Sequence, residues 1–235
     1  MRRVRLSLYA VIAISACGRV GFDPLGGGDG GGSMIGDAGS GSGSDGGGGI
    51  DSGLLCTNTT PSTTFPGGLP CVNWGGSSSF VNAGLSESSG TLVITPNVNT
   101  AGATGSCQRS TVVIGPAGAF AEVSQVLSGA ASTTRLEAVW GGQVYYIGTE
   151  NNGMRAGNVT LGVTFSGGTV QRWWRIRPTN GEVHFEHSPD GVMWTDFALI
   201  GGIPTGTASL RVVATTPNAE AAPGTARFES VNVCP

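Results

Sequence analysis

The rhythm of its apolar runs constrains this chain more than any other feature. From about Leu54 onward, short stretches rich in Val, Ile, Thr, Phe and Trp are cut every ~8–12 residues by Gly, Pro or Asn. Runs this short suit pleated strands, and no segment carries a convincing helical period. Twelve candidate strands follow: Phe80–Ser86, Thr91–Pro96, Cys107–Ile114, Ala119–Leu127, Thr134–Trp140, Gln143–Gly148, Arg155–Phe165, Val170–Arg177, Glu182–Ser188, Val192–Leu199, Ala208–Thr215 and Thr225–Val233. About 180 residues in this many strands exceed an immunoglobulin-sized module of ~100. The expected architecture is all-β, a two-sheet antiparallel sandwich.

Before Leu54 the composition is different. Gly26 to Gly53 is almost entirely Gly, Ser and Asp. Such a stretch buries too little apolar surface to offset the entropy of ordering it. As flexible coil, residues 17–53 span roughly 35 Å, a tether rather than a fold. Its aspartates lack the regular nonapeptide of calcium-binding repeats. Residues 1–16 carry Arg2, Arg3 and Arg5 ahead of an apolar core from Leu6 to Ala16. That is the build of an export signal, too short to span a bilayer. It ends Ile14-Ser15-Ala16-Cys17, which resembles the lipobox of bacterial lipoproteins. The resemblance implies cleavage before Cys17 and lipidation of that cysteine. Gly18 follows with no acidic retention signal, which favours an outer-membrane or cell-surface address. The expected organisation is a signal peptide over 1–16, a tether over 17–53 and a β-sandwich domain over 54–235.

Charge excludes some functions. The chain has a formal net charge of −3, and all twelve of its basic residues are Arg. No basic excess exists to neutralise a phosphate backbone, so nucleic acid is not an expected partner.

Chemistry concentrates in Val170–Leu199. Asn180-Gly181 is a two-residue hairpin signal, because a type I′ turn needs positive φ at both central residues. That turn pairs Thr179 with Glu182, Arg177 with His184, Ile176 with Phe185 and Arg175 with Glu186. Alternation then sends Trp174, Ile176, Val183 and Phe185 to the core. Trp173, Arg175, Arg177, His184 and Glu186 share the opposite face. A flat indole beside planar hydrogen-bonding groups is the kind of surface that grips sugar rings, so Trp173, Arg175, Arg177 and His184 are candidate ligand residues. Tyr145 and Tyr146 are further candidates, since one of two adjacent strand residues faces outward. The Ser188–Gly191 turn fits either a two-residue loop or a type I turn with a glycine bulge. These put Trp194 on opposite faces, and the sequence leaves both open.

The segment WWRIRPTNGEVHFEHSPDGVMWT is similar to the strand-hairpin-hairpin segment of bacterial concanavalin A-like (laminin G-like) lectin and glucanase domains. The resemblance covers about 25 residues. It implies a jelly-roll sandwich, with ligands often on the concave sheet. Together with the lipobox, the tether and the absence of Lys, the chain looks like a surface lipoprotein of a high-GC, myxobacterial-type bacterium.

Hydrolysis is not expected. The hydrolases of that family carry Glu-x-Asp-x-x-Glu or a shorter variant, and this chain has no such motif. Glu182 and Glu186 share a face, but Glu186 stands opposite Arg175. His184 and His187 fall on opposite faces, and no nucleophile elbow is present. Two His without a Cys-x-x-Cys make zinc unexpected. No cofactor is expected. Calcium rests on family analogy alone, with Glu150-Asn151-Asn152 as the local oxygen cluster.

With Cys17 lipidated, Cys56, Cys71, Cys107 and Cys234 remain, an even number in an exported domain. Three pairings are open. Termini of compact domains often lie close together, which favours Cys56–Cys234 and leaves Cys71–Cys107. Trp74 is expected in the core beside a disulfide. The functional expectation is a tethered module binding a glycan or another cell-surface partner. The alternative is a structural or adhesive envelope lipoprotein, with a glycoside hydrolase third.

Overall fold

The computed structural model describes residues 65–157 and 159–233. The export signal, Cys17, the tether, Cys56 and Cys234 lie outside the described residues.

Fourteen strands make up nearly all the regular structure. They are β1 (Ser77–Val81), β2 (Ala83–Ser88), β3 (Thr91–Pro96), β4 (Ala103–Val112), β5 (Ala119–Gln125), β6 (Thr133–Trp140), β7 (Gln143–Glu150), β8 (Gly153–Ala156), β9 (Val159–Thr164), β10 (Trp173–Thr179), β11 (Glu182–Ser188), β12 (Thr195–Gly201), β13 (Ala208–Thr216) and β14 (Ala226–Val233). One 3₁₀ turn, Gly167–Thr169, interrupts them. Two of the twelve expected runs each contain two strands. Phe80–Ser86 breaks at Asn82, in the left-handed region at φ 52°, and there the chain passes from one sheet to the other. Arg155–Phe165 folds back on itself as the β8–β9 hairpin.

The strands form two antiparallel seven-stranded sheets. One has the order β1-β4-β13-β6-β7-β8-β9 and the other β12-β11-β10-β5-β14-β3-β2. Consecutive strands switch sheets repeatedly, at β1–β2, β3–β4, β4–β5, β5–β6, β9–β10, β12–β13 and β13–β14. The fold is thus a two-sheet β-sandwich with jelly-roll crossings.

Period-two patterning builds the core. Along β13, Ala208, Leu210, Val212 and Ala214 are buried, while Arg211, Val213 and Thr215 between them are not. Leu136, Ile147 and Met154 join them from the first sheet, and Leu92, Val123, Trp174, Ile176, Phe185 and Phe228 from the second. Burying a large apolar side chain contributes about 1.5–3 kcal/mol, which is how a chain with 11% charged residues holds together.

The Asn180-Gly181 hairpin has the expected register, Thr179↔Glu182 through Arg175↔Glu186. Asn180 and Gly181 adopt φ of 53° and 82°, as the turn requires. The second turn differs from both expected forms. Six residues, 189–194, connect β11 to β12. Ser188 Oγ accepts the backbone N–H groups of Asp190 and Gly191, at 3.2 and 2.9 Å. Asp190 Oδ1 accepts those of Met193 and Val192, each at 2.9 Å. These donors, joined by the Ser188 hydroxyl, hold the Asp190 carboxyl below its ordinary pKa.

Cys71 and Cys107 form a disulfide with a Cα–Cα distance of 5.4 Å. Trp74, 1% exposed, lies in the core beside it.

Candidate functional site

The outer face of the second sheet holds the patch expected from sequence, and it is far more closed than alternation alone implies. Arg175 is 5% exposed and Glu186 only 3%. Arg175 Nε donates to Glu186 Oε2 at 2.5 Å, and Arg177 Nη2 donates to Oε1 at 2.6 Å. Phe120, supplied by β5, is buried within the same layer. Its ring lies 5.9 Å from Trp173 and 6.4 Å from Trp194. The Arg175 guanidinium stacks 4.0 Å from the Trp194 ring centroid. The longer second turn thereby places Trp194 on this outer face, over Arg175. Arg175, a candidate ligand residue from sequence, has its guanidinium packed under an indole and bonded to a carboxylate. Trp173, Arg177 and His184 are half-buried and line a filled aromatic-ionic layer.

His184 Nδ1 lies 2.9 Å from Asp196 Oδ1. Donor atoms of His184, Glu186 and Asp196 all fall within 4.8 Å of one another, a spacing that could hold a metal ion. Both Glu186 oxygens, however, accept guanidinium N–H groups. Two fixed positive charges at the same carboxylate oppose a cation there. Two oxygens of the Glu150-Asn151-Asn152 cluster are also committed. Asn151 accepts the Ala131 backbone N–H, and Glu150 accepts Arg155.

Tyr145 and Tyr146 divide as alternation demands. Tyr145 is 6% exposed and is the one that turns inward, edge-on to Trp140 at 6.5 Å. It also lines a shallow depression of about 460 Å³ beside Ile203 and Pro204. Tyr146 faces outward on the first sheet, where the Arg135 guanidinium lies 4.3 Å over its ring.

That outer face of the first sheet carries a groove of about 580 Å³. Strand register arranges the residues of that face in three rows, with Tyr146, Gly148 and Arg155 beside the groove's own lining. One runs Gln108, Arg211, Glu137, Tyr146; the next Ser106, Val213, Arg135, Gly148, Arg155; the third Thr104, Thr215, Thr133, Glu150. Glu137, 3% exposed, accepts the Arg211 Nε–H. Arg155 pairs with Glu150 and donates from Nε to Thr160 at 3.0 Å. Arg135 stands between the two glutamates, its Nη atoms 3.6 Å from Glu137 and 3.9 Å from Glu150. Gly148 keeps the middle row flat. A Cβ there would lie 2.1 Å from the Thr134 carbonyl oxygen and 2.9 Å from Arg135 Cγ.

Sequence reasoning missed Arg135, Glu137, Glu150 and Arg211 as members of one site. Each sits at an outward position of an alternating strand, where a lone charge reads as ordinary solvated surface. The available signal was the pair Arg135 and Glu137 flanking inward Leu136, and it becomes a site only when β13 is laid beside β6.

No protein-family model matches the chain, and no curated protein matches it. Among solved structures, the GlcNAcα1-4Gal-releasing endo-β-galactosidase from Clostridium perfringens is similar, at 12% identity and a TM-score of 0.42. The match covers 64% of this chain and 53% of that enzyme, so the chain spans about half of the enzyme's length.

Proposed function

We propose that this protein is an exported, lipid-anchored β-sandwich module that binds carbohydrate in the groove of its first sheet and does not hydrolyse it. The groove carries the reading. Hydroxyls, an amide, carboxylates and guanidinium groups from five adjacent strands converge on one open surface. Its ~580 Å³ lies within the ~300–1,000 Å³ usual for ligand sites. Planar polar side chains of this kind match the paired hydroxyls of a sugar. Retaining hydrolysis needs one carboxyl to protonate the leaving group and another to attack, ~5–5.5 Å apart. Here Glu137 is held by Arg211 and Glu150 by Arg155, which fits orientation of donors better than proton transfer.

Glycan-array binding by the full-length protein tests the site. Gln108→Ala and Tyr146→Ala are expected to weaken retention about tenfold with unchanged melting temperature, a loss of ~1.4 kcal/mol. Absence of any retained glycan would sink the binding reading, and release of reducing ends from a bound glycan would sink the non-catalytic one.

Anchoring is tested separately. The Ile14-Ser15-Ala16-Cys17 junction supports lipidation at Cys17 and, with Gly18, an outer-membrane or cell-surface address. Labelled palmitate should enter the wild type and not Cys17→Ser. Equal labelling of the two would overturn the anchor.

A further inference from the structure

We infer that the groove's ligand is an acidic saccharide, one whose carboxylate docks on Arg135. This rests on the reading of the groove as a carbohydrate site. The charges of that face do not cancel. Arg211 is matched by Glu137 and Arg155 by Glu150, each in direct contact. Arg135 is the third guanidinium against two carboxylates. Its Nη atoms, at 3.6 and 3.9 Å from those glutamates, are beyond the ~2.7–2.9 Å of a charge-assisted hydrogen bond. Its Nε is buried and has no hydrogen-bond partner among the described residues. The side chain is 24% exposed, so this is a largely desolvated cation whose outer nitrogens are under-used.

The surroundings hold the group in place without satisfying it. The Tyr146 ring supports the guanidinium plane from one side at 4.3 Å. Two carboxylates, one on each flank, fix its direction along the middle row. Gly148, the neighbour across from Arg135 in register, contributes no side chain that could cover it. An oriented, partly dry guanidinium fork matches a carboxylate in two parallel hydrogen bonds. Ser106, Thr133 and Gln108 stand in the adjoining positions to take ring hydroxyls. A neutral sugar would use those groups and leave Arg135 as it is. A uronate supplies the one negative charge the face lacks.

The test pairs uronate-containing oligosaccharides with their methyl esters, which keep shape and hydroxyls and remove charge. Binding of the full-length protein is measured by calorimetry at low and high salt. The free acid should bind at least tenfold more tightly than its ester, and the ratio should shrink as salt screens the pair. Arg135→Gln should bring the ratio to about one. Arg135→Lys should keep part of the preference, because it retains the charge and loses the fork. Should Arg135→Gln fail to fold, the wild-type acid-to-ester ratio and its salt dependence decide alone. Equal binding of acid and ester, weakened together by Gln108→Ala, overturns the acidic ligand and leaves the carbohydrate site standing. No binding of any pair overturns the acidic ligand, and it overturns the carbohydrate site as well when the glycan array also retains nothing.

Discussion

Glu186→Ala is expected to cost about 3–5 kcal/mol of stability, the range for removing one partner of a buried ion pair. Glu186 is 3% exposed and accepts hydrogen bonds from both Arg175 and Arg177. Arg177 has a quarter of its side chain in solvent and can turn outward. Arg175 cannot, since it is 5% exposed and lies beneath Trp194. Its charge would then stay buried after losing the carboxylate. For a domain of this size each kcal/mol shifts the melting temperature by ~2–4 °C, so a fall of about 6–20 °C is expected. The double variant Arg175→Met with Glu186→Leu should recover most of the loss, because it removes the buried charge along with its partner. A loss below about 1 kcal/mol for Glu186→Ala would show that the ion pair is not what holds this layer.

Gly148→Ala should be nearly as damaging, by a different route. The added Cβ would sit 2.1 Å from the Thr134 carbonyl oxygen and 2.8 Å from Arg135 Cα. Both are backbone atoms of the paired strand, so no side-chain rotation relieves the clash and β6 and β7 must separate. Overpacking costs about 1–3 kcal/mol, and the upper end is expected where backbone has to move. Gly201→Ala is the matched control, since nothing lies within 4 Å of its Cβ position. Its cost should stay within about 0.5 kcal/mol. Comparable melting temperatures for the two variants would contradict the close approach of β6 and β7 at this point.

Much of the strand inventory was legible because its causes are local. β3 and β11 coincide with their expected runs, each bounded by turn residues. The β10–β11 register followed from two residues that tolerate positive φ. Reading failed where a turn left no gap in the apolar pattern. Asn82 sits inside Phe80–Ser86 without a glycine or proline beside it, so one run concealed two strands in different sheets. Gly148 was taken as a strand end, whereas β7 continues through it to Glu150. A glycine in a strand can mark a close approach of backbone as well as a stop.

The site was less legible than the fold, and the reason is physical. Alternation assigns Trp173, Arg175 and Glu186 to one face, and the structure agrees. Alternation is silent on what covers that face. Phe120, more than fifty positions earlier in the chain, fills the space between the two indoles and closes it. The groove is the converse case. Arg211 and Glu137 are 74 residues apart and meet only because β13 inserts between β4 and β6. Short-range sterics and the two-residue period of a strand are properties of neighbouring residues, so the chain by itself determined its β class, its core face and its hairpin. Which outward side chains share an open surface depends on long-range pairing and sheet crossing. Those emerge only when the whole sandwich closes, and that closure covers Arg175 on the second sheet while leaving a polar groove open on the first.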